Sequence, residues 1–171
     1  EFRPDGLKSR LLRLPLVDRS VFAPPTSGSE RNGFLVYSHR YRPDLGSFPD
    51  WVDNLTVISR ETPRDPPALA NLYRRSRALI AGERTAAVSE ALHCHCPVIL
   101  LTHREFAHQP IVSFYGGCGV TLGFDRDGVA RATETAVSFP EIYARQYQDV
   151  DRQILEFVAE AEEFFCSQGI Q

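Results

Sequence analysis

Residues 69–101, LANLYRRSRALIAGERTAAVSEALHCHCPVILL, decide the fold. The stretch opens in a helical pattern that begins behind Pro66 and runs over about 67–77, with proline where the first helical positions tolerate it. ALIAG at 78–82 is a short, wholly apolar strand, followed by good helix formers over about 84–94. Pro97 stops that helix, and PVILLT at 97–102 is a second apolar strand. Short strands without polar alternation, spaced by helices, are buried on both faces. They therefore belong to a parallel sheet.

Working outward, GFLVY at 33–37 and NLTVIS at 54–59 supply two upstream strands, separated by a segment broken at Pro43, Gly46 and Pro49. Downstream, a His-rich loop and the turn Tyr115–Gly119 precede a strand VTLGF at 120–124. Asp125 and Asp127 can cap a helix near 127–138. A long helix over 140–166 is expected to close the chain, with Tyr143, Tyr147, Val150, Ile154, Phe157, Ala161 and Phe164 on one stripe. The expected fold class is α/β, a doubly wound, mostly parallel, Rossmann-like sheet with a long C-terminal helix. Its organisation reads as a linker at 1–32 from a preceding N-terminal domain, an α/β domain at 33–139, and a helix at 140–171 packing on it. Such sheets bind ligands beyond the carboxyl ends of their strands, which points to the loops after Tyr37, Ile80 and Leu101.

Bulk properties narrow the function. A length of 171 residues with 43% hydrophobic and 24% charged residues suits one globular domain. The formal net charge of −3 argues against nucleic-acid binding, which needs a Lys/Arg excess. No apolar run approaches the roughly 20 residues of a membrane span, and the charged N-terminus lacks the apolar region of a signal peptide. The absence of Met makes the chain read as a fragment of a longer one. Cys94, Cys96, Cys118 and Cys166 are too sparse for a disulfide scaffold and fit a reducing, cytoplasmic setting.

The chemistry concentrates after the 78–82 strand. Thr85, Ala86 and Ala87 stand where a helix starts, so unpaired N–H groups and the positive helix end favour an anion. Small side chains let a diphosphate approach, and the Thr85 hydroxyl adds a donor. His93-Cys94-His95-Cys96 carries metal-type residues, but adjacent residues at a helix end do not converge on one tetrahedral ion, so no metal is expected. Cys94 reads instead as a small buried hydrophobe. His103 and His108 read as solvated loop histidines. Tyr115–Gly119 precedes a strand and makes a poor phosphate loop.

The 69–101 block resembles the donor-binding signature of retaining, GT-B-type glycosyltransferases: a helix "L..LY..S..", a short strand, an acid, a small-residue turn and "EAL.CG.PVI". The resemblance extends to LPLVDRSVFAPP at 14–25 and GFLVYSHRY at 33–41, covering most of residues 14–124. It implies the C-terminal, nucleotide-sugar-binding half of such an enzyme, active in polysaccharide or glycoconjugate synthesis. The donor would be a nucleotide diphospho-sugar, with no separate cofactor. The acceptor would be a saccharide or a lipid-linked one, which admits the inner face of a membrane. On this resemblance Arg40 and Glu83 are the catalytic candidates. Arg42, Thr85 and Ala86 would bind the diphosphate, and Glu90 the ribose hydroxyls. His95 stands at the glycine that closes the helix with positive φ.

Two departures are visible. Six residues separate Glu83 from Glu90 where the family has seven, so Glu83 reads equally as a helix N-terminal charge. The family lysine falls at Leu45, leaving Arg42 or Arg60 to replace it. A catalytically degenerate binding or scaffold module is therefore the alternative, and the isolated chain is expected to turn over little. A receiver-type doubly wound domain fits poorly, because Ser38-His39-Arg40 stands where receivers carry acids.

Overall fold

Every residue of the ALIA strand is fully buried, and that burial places it at the centre of the sheet. In a computed structural model, which describes residues 15, 17–26, 30–62, 64–83, 85–101 and 117–167, five strands form one sheet. They are β1 (Phe34–Tyr37), β2 (Leu55–Ile58), β3 (Ala78–Ala81), β4 (Val98–Leu100) and β5 (Val120–Leu122). All neighbours pair in parallel in the order β2-β1-β3-β4-β5. The doubly wound parallel sheet expected from the apolar runs is present.

Helices α1 (Pro66–Arg75) and α2 (Ala86–His93) form the crossovers on either side of β3. They lie side by side and bury Ala70 and Tyr73, and Ala87, Val88, Ala91 and Leu92. Alternation along the strands sends Leu35, Leu79, Val98 and Leu100 toward this layer. Phe34, Val36, Ala78, Ile80 and Ile99 form the other core with Val52 and the half-buried Phe48, Trp51, Phe124 and Val129. Trp51 anchors this second core, with its ring edge-on to both Phe34 and Phe124. Val129 belongs to α3 (Arg126–Thr135), so the sheet is covered on both faces.

Local chemistry sets the ends of these elements. Asp125 caps α3 by accepting from Gly128 N at 2.8 Å, while Asp127 lies inside the first turn as a dipole-compatible charge. At the end of α2, His95 N–H donates to Leu92 O (3.0 Å) and Cys96 N–H to Ala91 O (2.9 Å). This is the two-bond Schellman closure, and His95 takes the left-handed φ of +55° it requires. Arg31 then gathers the exposed carbonyls, donating to Tyr73 O, Ser76 O and Cys94 O at 2.9–3.1 Å. A cation so placed complements the negative ends of α1 and α2 together. Arg74 similarly ties down the linker through Val21 O and Ala23 O.

The continuous helix expected over 140–166 is instead two. A 3-10 turn at Ala136–Ser138 leads into α4 (Phe139–Gln146), and α5 (Val150–Ser167) follows. Tyr147 and Val150 N–H bond three residues back, to Ala144 O and Tyr147 O, and Gln153 N–H starts a new ladder at Asp149 O. The chain separates into two units, Leu16–Tyr143 and Glu1–Pro15 with Ala144–Gln171. The sheet and its two cores lie in the first, α5 in the second.

Two glycines test the turn geometry before and after β5. Gly119 and Gly123 both have positive φ, +72° and +65°. A Cβ on Gly119 would strike Leu92 Cδ2 and Ala136, while one on Gly123 meets nothing within 4 Å. Gly123→Ala should therefore cost about 1 kcal/mol, the backbone penalty alone. Gly119→Ala should cost about 2–3 kcal/mol because packing strain adds to it. Denaturant midpoints of the two variants check the difference, and equal losses would refute the packing assignment.

Candidate functional site

The connections leaving β1 and entering β3 lie on opposite faces, so β1 and β3 flank the topological switch point where doubly wound sheets bind ligands. Three loops meet there. Glu83, two residues past β3, accepts a hydrogen bond from the Arg40 backbone N–H beyond β1, Oε1 to N 2.9 Å. Gly82 lies beneath the Tyr41 ring so closely that a Cβ would overlap it. Arg42 reaches across to Glu61 in the loop after β2 at 3.0 Å. The carboxyl ends of β2, β1 and β3 are thus stitched into one polar rim. Arg40 and Glu83 are brought together, through the arginine's backbone, while its side chain is on an exposed residue.

Thr85 is the N-cap of α2, in extended conformation (φ −144°, ψ 166°), with Oγ1 accepting from Ala87 N at 3.1 Å. The capping oxygen keeps its own hydrogen to donate. Val88 N–H is held by Thr85 O at 3.2 Å. Ala86 is exposed and Ala87 buried, so the helix begins with its first residue open to solvent.

Glu90 is placed differently. Its Oε2 takes the hydroxyl of the fully buried Tyr73 on α1, at 3.4 Å. Burial raises the Glu90 carboxyl above its usual pKa, and the Tyr73 hydrogen bond offsets this in part. The carboxylate engages the α1–α2 seam, one turn or so into the helix, and Arg42 is spent on Glu61. Leu45 opens a 3-10 turn, Leu45–Ser47, capped by Asp44. Arg60 is exposed beyond β2.

The His-Cys-His-Cys run scatters its side chains. Cys94 and Cys96 are buried free thiols whose pKa values burial pushes up, to about 11 and about 12. They are inert hydrophobes rather than nucleophiles. His93 faces the rings of Tyr143 (centroids 4.6 Å) and Phe139 (5.3 Å). Among the described residues, no three His, Cys, Asp or Glu side chains group as metal ligands. His103, His108, Tyr115 and Gly116 lie outside the described residues. Sequence reasoning missed Tyr41 and Tyr73. Tyr41 leaves no signal beyond its place after β1, and Tyr73 reads only as a helical apolar position.

No protein-family model matches the sequence, and a search of curated proteins finds no significant match. No helix among the described residues is long and apolar enough to cross a membrane.

Two measurements probe this arrangement. Glu83→Ala should speed hydrogen exchange of the Arg40 amide about threefold to tenfold, as expected for losing one exposed hydrogen bond of about 1 kcal/mol. An unchanged rate would show that Glu83 does not hold the loop. His93 has a pKa lowered from 6.5 to about 4, by burial first and then by the charges of Arg19 and His95. Between those values the unfolded chain binds a proton that the folded one refuses, so stability falls as pH drops from about 6.5 toward 4. The buried Nε2 has no hydrogen-bond partner, so His93→Phe should flatten this slope without a large loss at neutral pH. Matching slopes in urea titrations of both proteins would exclude His93 as the source.

Proposed function

We propose that this chain is the donor-binding domain of a glycosyltransferase, taking a nucleotide diphospho-sugar for hexosyl transfer to a saccharide or lipid-linked acceptor. The observation that carries the reading is the stitched rim at the switch point. There an Arg loop and an acid are hydrogen-bonded past the carboxyl ends of β1 and β3, and the capped start of α2 follows the same strand β3. In this reading the N-terminus of α2, with the Thr85 hydroxyl and the Ala86 backbone, receives the diphosphate. The Arg40 guanidinium stabilises the charge that gathers on it as the sugar leaves. Glu83 faces the donor sugar, keeping the loop carrying Arg40 in place as it does so. Glu90 binds the ribose after releasing Tyr73, a long hydrogen bond that ligand hydroxyls can outcompete. Retention of configuration follows from the family resemblance. A cytoplasmic setting, with access to a membrane face, belongs to the same proposal.

A second reading, a catalytically degenerate binding or scaffold module, draws on two specific features. Leu45 provides no cation in its turn, and Arg42 pairs with Glu61 at the exposed surface. Fewer free positive charges at the leaving group weaken transition-state stabilisation before they weaken ground-state binding.

Calorimetric titration with uridine or guanosine diphosphate tests both. The donor-domain reading expects saturable binding, weakened about tenfold or more by Arg40→Ala and lost in Glu90→Ala, with the fold intact by circular dichroism. No heat of binding at millimolar nucleotide would sink it and leave the scaffold reading.

A further inference from the structure

The C-terminal helix presents a surface that the proposed donor site does not use. α5 (Val150–Ser167) has no buried residue, yet it carries Ile154, Leu155, Phe157, Val158, Phe164 and Phe165, all exposed. Leu155 is 71% exposed, Phe164 52% and Phe165 50%. Ile154, Phe157, Val158, Ala161, Phe164 and Phe165 follow helical spacing and form one continuous apolar stripe. A patch of this kind on an 18-residue helix marks a contact surface rather than scattered surface hydrophobes.

Charge selects the occupant. Over its length α5 has five acids, Asp151, Glu156, Glu160, Glu162 and Glu163, against one base, Arg152, a net −4. Residues 7–16, LKSRLLRLPL, have five leucines and three bases, Lys8, Arg10 and Arg13, with no acid. A second copy of α5 would set −4 against −4, whereas the leucine-rich segment offers apolar cover and opposite charge together. Chain connectivity favours the same partner. Arg19 lies near enough to His93 to depress its pKa, and the His93 ring is 4.6 Å from that of Tyr143. The two chain segments therefore leave the Leu16–Tyr143 unit in one neighbourhood. Tethering raises the effective concentration of one for the other to the millimolar range.

We infer that the apolar stripe of α5 is the docking surface for the chain's own basic, leucine-rich segment, residues 7–16. The leucines cover Ile154 to Phe165, and Lys8, Arg10 and Arg13 face the acids along the rim of the stripe. The contact is an intramolecular clasp that needs both apolar burial and charge. Because it uses no residue of the strand-end rim, it stands or falls separately from the nucleotide reading.

The test is hydrogen exchange of the α5 amides in the full chain and in a Lys8→Glu/Arg10→Glu/Arg13→Glu variant. Residues 154–165 should exchange at least tenfold faster in the variant. Adding Glu160→Lys, Glu162→Lys and Glu163→Lys to it should restore protection. In the unaltered chain, protection should fall when salt is raised from about 0.02 to 0.5 M, a measurement that needs no variant to fold. Equal exchange in both chains with no salt response overturns the clasp. So does protection that rises with protein concentration alongside a dimer in sedimentation, which would make a second copy the occupant.

Discussion

A strand buried on every side chain can carry no chemistry of its own, and β3 imposes that constraint on the whole domain. Ala78, Leu79, Ile80 and Ala81 are at zero exposure, with β1 and β4 paired on either side. A polar side chain anywhere in ALIA would need a buried hydrogen-bond partner or be left unsatisfied. Polar groups are consequently pushed to the strand ends, and the two ends are treated differently. At the amino end, Arg31 and the Schellman turn absorb helix carbonyls, leaving that edge internally satisfied. At the carboxyl end, Arg40, Arg42 and Glu61 remain on exposed residues.

The fold was legible because its strongest signals are local. Short, largely apolar runs marked all five strands to within two residues at each end. The position of His95 was legible as well: the helix closure needs a left-handed residue wherever α2 meets β4, whichever residue fills it. The break at Tyr147–Asp149 was not. Tyr143, Tyr147, Val150 and Ile154 keep helical phase across it, and periodicity registers phase rather than continuity. Asp149 in front of Val150 is the one hint, an N-cap type residue ahead of Asp151 in the first turn.

The site was legible in part, for a related reason. Arg40, Glu83 and Thr85 are tied to the ends of strands and a helix start, so their neighbourhood follows once the strand order is known. Arg42 and Glu90 have long side chains whose targets lie on other elements, Glu61 past β2 and Tyr73 on α1. Spacing along one helix carries no information about which neighbouring helix offers a hydroxyl. Tyr41 was invisible for the converse reason. Its role comes from the missing side chain of Gly82, two strands' pairing away in sequence but directly beneath it in space.

These placements bear on how the proposed nucleotide would be received. The part proposed for the diphosphate is already assembled: Thr85 caps α2 and Glu83 accepts from the backbone of the loop bearing Arg40. The end proposed for the ribose is not, since Glu90 begins in a partly buried seam, hydrogen-bonded to Tyr73, where burial raises its pKa. A ligand contacting Glu90 must draw it out of that seam and leave the Tyr73 hydroxyl to find another acceptor. Binding would then divide into a preformed electrostatic contact and a slower side-chain rearrangement. For Glu90 to matter to affinity, the pentose contacts must outweigh the cost of moving its side chain, so a fragment holding only the diphosphate would bind far more weakly than the whole nucleotide.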